Sequence, residues 1–247
     1  MKCLLLFVSV ALLVASSSAI LNGDVSPHLP YYARISFTVA GQVGVQNKAG
    51  VIISDRFVLT TGIFFGNAQN PAVWVGSNVR QSQLSHLAVG PIAISTLVDG
   101  PALMRIVEPL VFSQTVSSIR MASVETRTGM TFEQGMVPGM GGSPTSTHNS
   151  LYSAHMRIVP TALCQTNYPT RDMNSFFCAY DSARSDFCGE DRGTAFTTLV
   201  RGEEFLIGIA IEGVCSQSAH DRPSLFANII SYRTRINDII NGLQGTL

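Results

Sequence analysis

The sequence at residues 49–61 reads Ala49-Gly50-Val51-Ile52-Ile53-Ser54-Asp55-Arg56-Phe57-Val58-Leu59-Thr60-Thr61. Two apolar runs flank the polar triplet Ser54-Asp55-Arg56, a pattern typical of two strands joined by a tight hairpin connection. Similar short apolar runs, separated by turn residues, recur along the chain. They predict strands at residues 31–46, 51–54, 57–61, 72–76, 102–107, 151–159 and 205–211. Closely spaced strands with few helical stretches indicate an all-β protein, either a sandwich or a barrel.

Three further segments complete this outline. An apolar stripe at the spacing i, i+3, i+4 and i+7 predicts one helix at the end of the chain, formed by Ile236, Ile239, Ile240 and Leu243. The stretch Arg201-Gly202-Glu203-Glu204 has the composition of a second hairpin connection. Residues 135–146 are rich in Gly, Pro and Ser and are predicted to form a surface loop.

Residues 1–19 have the pattern of a secretory signal peptide. Met1-Lys2-Cys3 gives a basic start, about a dozen apolar residues follow, and Ser16-Ser17-Ser18-Ala19 supplies a small-residue exit. The apolar part is shorter than the about 20 residues that span a bilayer, and an uncleaved anchor is the alternative. We expect cleavage after Ala19, which would leave residues 20–247 as one secreted, extracellular domain without a membrane segment.

The composition argues against one class of partner. The chain is 46% hydrophobic and 13% charged, which leaves enough apolar residues for a large core, and its formal net charge is zero. It contains no basic run and no RNP, zinc-finger or Walker pattern. We therefore expect no nucleic acid among its partners.

The cysteines predict disulfides. Without Cys3, which lies in the predicted leader, the chain has Cys164, Cys178, Cys188 and Cys215. An even number of cysteines in an exported chain favours two disulfides, for which three connectivities exist. Metal binding is the alternative, but the sequence has no Cys-x-x-Cys pair and its five histidines are scattered. We expect no metal and no cofactor.

Five segments stand out together along residues 20–247. They are Ile20-Leu21-Asn22-Gly23, the hairpin at 49–61, Ala102-Leu103-Met104-Arg105, Cys188-Gly189-Glu190-Asp191-Arg192-Gly193, and Tyr232 with the closing helix. Each is weak alone, but with their order, their spacing and the cysteine pattern they specifically resemble the chymotrypsin/trypsin family over essentially all of residues 20–247. The first segment looks like the mature start of that family, and the fourth occupies the place of its nucleophile loop. The resemblance implies two six-stranded antiparallel β-barrels, a C-terminal helix and a site in the cleft between the barrels.

The same resemblance implies several stabilising pairs. The disulfides would be Cys164–Cys178 and Cys188–Cys215. A third disulfide of the family would join the positions of Lys48 and Phe64, and both of its cysteines are missing here, so no thiol is left over. In the family, a freed N-terminal ammonium pairs with the aspartate before the nucleophile, which here means Ile20 and Asp191. Because the predicted leader ends at Ala19, export alone would free Ile20, without a separate activating protease.

The catalytic positions of the family are occupied by other residue types. Its chemistry needs a serine, a histidine and an orienting aspartate, and the matching positions are Arg192, Ile63 and Gly100. An aliphatic side chain accepts no proton, and a guanidinium is not a nucleophile. Asp99 would take the place of the orienting aspartate only if the alignment were shifted by one residue, and even then it would have no histidine to orient. Glu190 replaces a glycine of the oxyanion loop, and its carboxylate would oppose the developing negative charge, which Arg192 would partly neutralise.

The remnant of the specificity pocket has two interpretations. Asp186 stands where trypsin-like members carry the aspartate that attracts Arg or Lys. Glu212 and Ser224 replace the glycines of the pocket walls, and Ile211 replaces a tryptophan. Either a modified acidic pocket still binds a basic group, or Asp186 lies beneath a partly filled pocket, where it would pair with Arg192.

These features predict a secreted, catalytically inactive serine protease homologue, a pseudoprotease similar to the clip-less homologues of arthropods. It would be a monomer that binds an extracellular protein (a protease, an inhibitor or a substrate) as a regulator, cofactor or decoy in proteolysis. One alternative is a weak or unconventional serine-type endopeptidase with trypsin-like preference, and an active-site serine probe would discriminate the two. The other is an abundant secreted structural protein.

Overall fold

The computed structural model describes residues 20–62, 68–127, 132–141, 149–182, 185–215 and 222–244. The predicted leader, residues 1–19, and the segment that holds Ile63 and Phe64 lie outside these ranges. The described chain opens with two short strands, β1 (Ile20–Leu21) and β2 (Asp24–Val25), which pair with strands of the second half.

The first half of the chain forms a closed antiparallel barrel. Its six strands are β3 (Tyr32–Val39), β4 (Val45–Ile52), β5 (Phe57–Thr61), β6 (Ala68–Val75), β7 (Leu84–Ala93) and β8 (Pro101–Ile106). Their order around the ring is β3-β4-β5-β8-β7-β6. β-branched and aliphatic side chains such as Ile35, Val58 and Val73 fill the interior and are fully buried, because alternate residues of each strand point inward.

The second half forms another ring of six antiparallel strands with two short additions. Its strands are β9 (Arg120–Met121), β10 (Gln134–Gly139), β11 (Tyr152–Ile158), β12 (Phe176–Tyr180), β13 (Asp186–Phe187), β14 (Ala195–Val200), β15 (Glu203–Glu212) and β16 (Ser224–Asn228). The ring runs β10-β14-β15-β16-β12-β11 and closes through the pairing of β11 with β10. Stacked and edge-to-face contacts among Phe177, Phe196 and Phe226 fill its interior.

Within the described residues, three α-helices accompany the barrels: α1 (Val124–Arg127), α2 (Thr161–Asn167) and α3 (Ile229–Gln244). The apolar stripe predicted for α3 faces inward, and Ile236 is fully buried. The predicted architecture of two six-stranded antiparallel barrels with a C-terminal helix is therefore confirmed.

An apolar core joins the two barrels across their seam. Leu59 and Leu103 of the first barrel, Leu206 and Ile209 of the second, and Ile236 of α3 belong to one buried cluster. Each of these side chains is completely removed from solvent, and burying an aliphatic side chain of this size contributes about 1.5–3 kcal/mol. The seam between the two barrels is therefore filled by tightly packed apolar side chains.

Two predicted segments differ from the structure. Residues 31–46 were predicted as one strand but form parts of β3 and β4, because the chain turns at Gly41 and Gly44, whose φ angles are +79° and +99°. The loop predicted at 135–146 is wrong for residues 135–139, which belong to β10. A glycine is needed at position 135, since a Cβ there would overlap the ring of Phe196 and the carbonyl of Thr197.

The disulfides are the implied ones. Cys164 of α2 is bonded to Cys178 of β12, and Cys188 is bonded to Cys215. The second disulfide ties the loop that carries Asp191 to the end of β15. Within the described ranges, the chain has no helix with the length and apolarity needed to cross a membrane.

Candidate functional site

The loop in the place of the nucleophile loop is built around a buried carboxylate. Residues 189–191 form a single 3-10 turn after Cys188, and Asp191 is completely buried within it. Its Oδ1 accepts the N–H of Gly141 at 2.6 Å, and its Oδ2 accepts the N–H of Cys188 at 3.2 Å. Burial raises the pKa of Asp191 to about 7, although both hydrogen bonds act to lower it. Burial therefore disfavours the charged form of this carboxyl group.

Ile20 lies beside this carboxylate. Its backbone pairs with Phe187 in the short β1–β13 ladder, and its side chain is fully buried. A Cβ built on Gly139 would overlap both the Asp191 carboxylate and the tip of the Ile20 side chain, so the two residues lie against the same glycine. The structure thus brings together the two residues for which an ion pair is predicted.

The seam between the barrels brings the triad-related positions close together. Gly62, next to the position of Ile63, donates its N–H to the carbonyl of Gly100 at 2.7 Å. The carbonyl of Arg192 accepts the N–H of Ala49 at 3.1 Å, and Gly193, at φ +91°, packs directly on Thr60 of β5. Position 63 itself lies outside the described residues.

The space beside Gly100 is already filled. A Cβ on this buried residue would overlap the hydroxyl oxygen of Ser95 and lie 3.1 Å from the carbonyl oxygen of Leu97. A separation below 3.0 Å between a Cβ and another heavy atom requires the neighbour to move. A carboxylate side chain at position 100 would therefore fit only if the Ser95 hydroxyl moved away.

Asp99, the neighbour considered for a shifted register, is bound elsewhere. Both of its carboxylate oxygens accept hydrogen bonds from the guanidinium of Arg171, one of them at 3.0 Å. This contact raises the pKa of Arg171, and the same guanidinium lies 5.3 Å from the ring centroid of Phe176. The carbonyl of Asp99 also accepts the hydroxyl of Thr61 at 2.9 Å.

The remnant of the specificity pocket is closed around its aspartate. Asp186 Oδ1 accepts the hydroxyl of Ser224 at 2.6 Å and the N–H of Phe187 at 2.8 Å. Its Oδ2 accepts the N–H groups of Val214 and Cys215 at 2.5 and 3.1 Å. Asp186 is only 8% exposed, and this burial raises its pKa, although the four hydrogen bonds act to lower it. A basic side chain would have to displace donors that already satisfy this carboxylate.

Glu212, a predicted wall residue, takes part in a second cluster. It pairs with Arg222 at 3.0 Å, and the guanidinium of Arg222 stacks 4.3 Å from the ring centroid of Tyr168. The Tyr168 hydroxyl donates to the carbonyl of Pro223 at 2.9 Å, and burial raises its pKa to about 12. The side chains of Glu212, Arg222 and Tyr168 thus form one cluster of mutual contacts.

Comparison with known proteins identifies the family of this chain. A sequence profile of the Trypsin family matches residues 32–236, more than four fifths of the chain. The chain belongs to the trypsin family. A search among curated proteins found no significant match.

Two solved structures resemble this trypsin-family chain over most of its length. HL collagenase superposes with a TM-score of 0.76 at 23% identity, and GrC superposes with a TM-score of 0.75 at 17% identity. Each match covers 89% of this chain and 98% of the other. Identities this low show a shared fold and carry no residue roles.

Sequence reasoning missed one feature of this trypsin-family site, the number of cations around it. Arg80 contacts Glu190 at 3.5 Å, and the Nζ of Lys48 donates to the carbonyl of Gly189 at 2.7 Å. Lys48 directly precedes the apolar run at residues 49–52 of β4, and this lysine is the signal in the sequence. Within the described ranges, no group of three or more His, Cys, Asp or Glu residues is placed to hold a metal ion.

Proposed function

We propose that this chain is a catalytically inactive member of the trypsin family that acts by binding another protein. The observation that carries the proposal is position 100, where a glycine stands in place of the orienting aspartate and the Ser95 hydroxyl lies where a Cβ would be. A triad depends on that carboxylate to hold its histidine in the correct tautomer and orientation. The proposal thus rests on local geometry as well as on residue types.

The oxyanion loop supports the same proposal. Glu190, in the place of a glycine, projects a carboxylate that pairs with Arg80. A carboxylate next to an oxyanion hole disfavours the negative charge of a tetrahedral intermediate, whereas catalysis requires donors preorganised for that charge. Arg192 cannot replace the nucleophilic serine, because its side chain has no oxygen and its guanidinium nitrogens remain protonated.

The proposal further includes secretion of the chain and ordering of its cleft by its own N-terminus. Two disulfides are typical of a chain that folds in an oxidising compartment. Cleavage after Ala19 would free the amino group of Ile20 beside the buried Asp191, so the exported chain would order its cleft without proteolytic activation. Such a chain suits a regulator, cofactor or decoy that binds proteases, inhibitors or substrates, as the clip-less homologues of arthropods do.

The test is an activity measurement on the secreted chain that begins at Ile20. Fluorogenic Arg, Lys, Phe and Leu peptides are offered in turn, and a fluorophosphonate probe reports any activated serine. Active trypsin, assayed in parallel, is the positive control. We expect no turnover and no labelling. Turnover that copurifies with the chain and disappears on mutation of one of its own residues would instead establish the unconventional endopeptidase.

Ligand binding to the remnant pocket gives a second readout. Because Asp186 accepts four internal hydrogen bonds, we expect benzamidine, a small basic probe, to leave the melting temperature unchanged. Stabilisation by benzamidine that Asp186→Asn removes would show an open acidic pocket. That result would favour the trypsin-like alternative.

A further inference from the structure

A cavity of about 230 Å³ lies in the second barrel. Its walls come mainly from β11, β12, β15 and β16 and from the starts of α2 and α3. Apart from Thr161 and Asn228, the described residues that line it are apolar or belong to the Cys164–Cys178 disulfide. None of the triad-related or specificity-pocket positions lines it, so the cavity is separate from the cleft.

The cavity lies between two apolar clusters of the second barrel. Phe177 and Ile207 on one side belong to the cluster in the barrel interior, and Phe176 and Val159 on the other belong to the cluster around α2. Protein interiors interdigitate and contain few voids larger than a water molecule. A space of this size between two clusters is therefore a candidate ligand site.

The walls of the cavity are held in place without a ligand. The disulfide ties α2 to β12, and the ring of Phe177 stacks on that of Phe226 with 5.3 Å between the centroids. A Cβ at Gly208 would lie 2.6 Å from the Phe177 ring, so the glycine leaves room for the ring in this position. The site is thus preformed, as small-molecule sites usually are.

The lining of the cavity excludes a charged ligand. Among the described residues, no Asp, Glu, Lys, Arg or His lines it, so an ion would lose its hydration without gaining a partner of opposite charge. Phe132, Phe176 and Phe177 supply aromatic rings, and Met173 supplies a thioether. Both kinds of group make favourable contacts with a further aromatic ring. The lining therefore favours a neutral aromatic molecule.

Asn228 provides a hydrogen-bond acceptor at the cavity. Its Nδ2 donates to the carbonyl of Asn174 at 3.2 Å, and its backbone N–H donates to the carbonyl of Ser175 at 2.8 Å. These two contacts fix the side-chain amide, whose Oδ1 accepts no hydrogen bond from any described residue. An amide oxygen in an otherwise apolar lining selects a ligand that carries one donor, such as a hydroxyl group.

We propose that this cavity binds a small neutral phenol, with its ring among the Phe side chains and its hydroxyl group donating to Asn228 Oδ1. An apolar cavity of about 150 Å³ binds benzene. The larger cavity of about 230 Å³ therefore has room for one ring with a short substituent. The inference goes beyond the proposed function and is independent of it, because the cleft contributes none of the lining residues.

A free small molecule fits the cavity better than the tyrosine side chain of a partner protein. Val159, Phe176 and Ile207 are each at most 8% exposed, so the cavity extends into the packed interior. A tyrosine would have to bring its own backbone, with polar groups that need hydrogen bonds, close to this apolar lining. A free phenol carries no such groups.

The experiment is isothermal titration calorimetry of the secreted chain with three probes of similar size. They are para-ethylphenol, para-ethylanisole, which lacks the donor, and para-ethylbenzoate, which is charged. We expect the phenol to bind about fivefold more tightly than the anisole and at least about tenfold more tightly than the benzoate. Absence of phenol binding, or equal affinity for the benzoate, would overturn the inference.

Matched variants locate the site. Ile158→Trp, which fills the cavity, should weaken binding of para-ethylphenol by about tenfold or more, whereas Ile158→Val should retain it. Leu199→Ala, at an exposed residue of β14 that does not line the cavity, should change nothing. Unchanged binding in Ile158→Trp would place the ligand elsewhere and contradict the proposal. Thermal unfolding verifies that each variant is folded.

Asn228→Ala tests the hydrogen bond and does not depend on whether Ile158→Trp folds. It should weaken binding of para-ethylphenol by about fivefold and leave binding of para-ethylanisole unchanged, a selective effect that simple damage to the fold would not produce. A phenol preference that survives in Asn228→Ala would contradict the assigned acceptor.

A further probe distinguishes the two sources of a phenol group. N-acetyltyrosinamide carries the same ring on a peptide backbone, and we expect it to bind more weakly than para-ethylphenol. Tighter binding of N-acetyltyrosinamide would contradict a free small molecule as the ligand. Peptidase turnover in the separate activity assay would overturn the proposed function and leave the assignment of this cavity standing.

Discussion

The strongest test of the predicted ion pair between the Ile20 ammonium and the buried Asp191 carboxylate compares two chains that differ by one residue. One begins at Ile20, and the other retains Ala19 in front of it. In the longer chain the ammonium group is displaced by one residue from the Asp191 carboxylate. A rise of the Asp191 pKa from 3.8 to about 7 corresponds to about 4 kcal/mol at about 1.4 kcal/mol per pH unit. We expect the chain beginning at Ile20 to be more stable by about 2–4 kcal/mol at pH 7.5.

The direction of the pH dependence follows from the same group. A carboxyl group with a raised pKa holds its proton in the folded chain after the unfolded chain has lost it. Its contribution to stability is therefore complete below pH 3.8 and is lost as the pH rises to about 7. The longer chain should show this loss. In the chain beginning at Ile20, the ammonium favours the charged carboxylate, so the loss should be largely absent.

Urea denaturation monitored by far-UV circular dichroism, with the disulfides intact, measures the difference between pH 4.5 and pH 8. Asp191→Asn in both chains is the control, and it should abolish most of the difference and its pH dependence. If the two chains had the same stability at pH 7.5, or if their difference survived Asp191→Asn, the Ile20–Asp191 pair would be refuted.

Three further predictions concern single side chains. Gly100→Asp should lower the free energy of unfolding by about 1–3 kcal/mol, because the new Cβ would overlap the Ser95 hydroxyl. The control Gly189→Ala should have little effect, since the space around Gly189 is open. Thermal melts of the two variants measure the difference. Lys48 is the one lysine of residues 20–247, and its acetylation rate, measured by mass spectrometry, should reach half of its maximum near pH 8. Arg192→Met should move that midpoint to higher pH, because it removes a neighbouring positive charge. A midpoint near pH 10 in the parent chain would contradict the effect of burial on the Lys48 pKa. Ser224→Ala should cost about 1–3 kcal/mol, since it removes a donor from a buried carboxylate, and a urea midpoint equal to that of the parent chain would exclude such a role.

The strands and the terminal helix could be predicted because their periodicity is local. The hairpin at 49–61 and the stripe of α3 need only a handful of neighbouring residues to be recognised. The β10 strand was missed because its Gly and Pro content resembles a loop. Its glycine at position 135 is required by the ring of Phe196, about sixty residues further along the chain, and no local pattern reveals such a contact.

The site was predictable to a smaller extent. The order of motifs located the residues at 100, 186 and 192, because a family pattern fixes positions along a sequence. It did not reveal that Ser95 fills the space beside Gly100 or that Arg171 holds Asp99. The Asp99–Arg171 contact joins residues 72 positions apart in the sequence. The Ser95–Gly100 contact depends on how the connection between β7 and β8 turns, which no residue pattern specifies.

The packing of Ser95 on Gly100 also bears on which substitutions the chain tolerates. A single codon change at position 100 would introduce a carboxylate beside Ser95, and the serine hydroxyl would have to move before the new side chain fits. Such a change would therefore lower the stability of the chain unless residue 95 changed with it. Positions 95 and 100 are thus expected to vary together, with a side chain at 100 accompanied by a different residue or rotamer at 95.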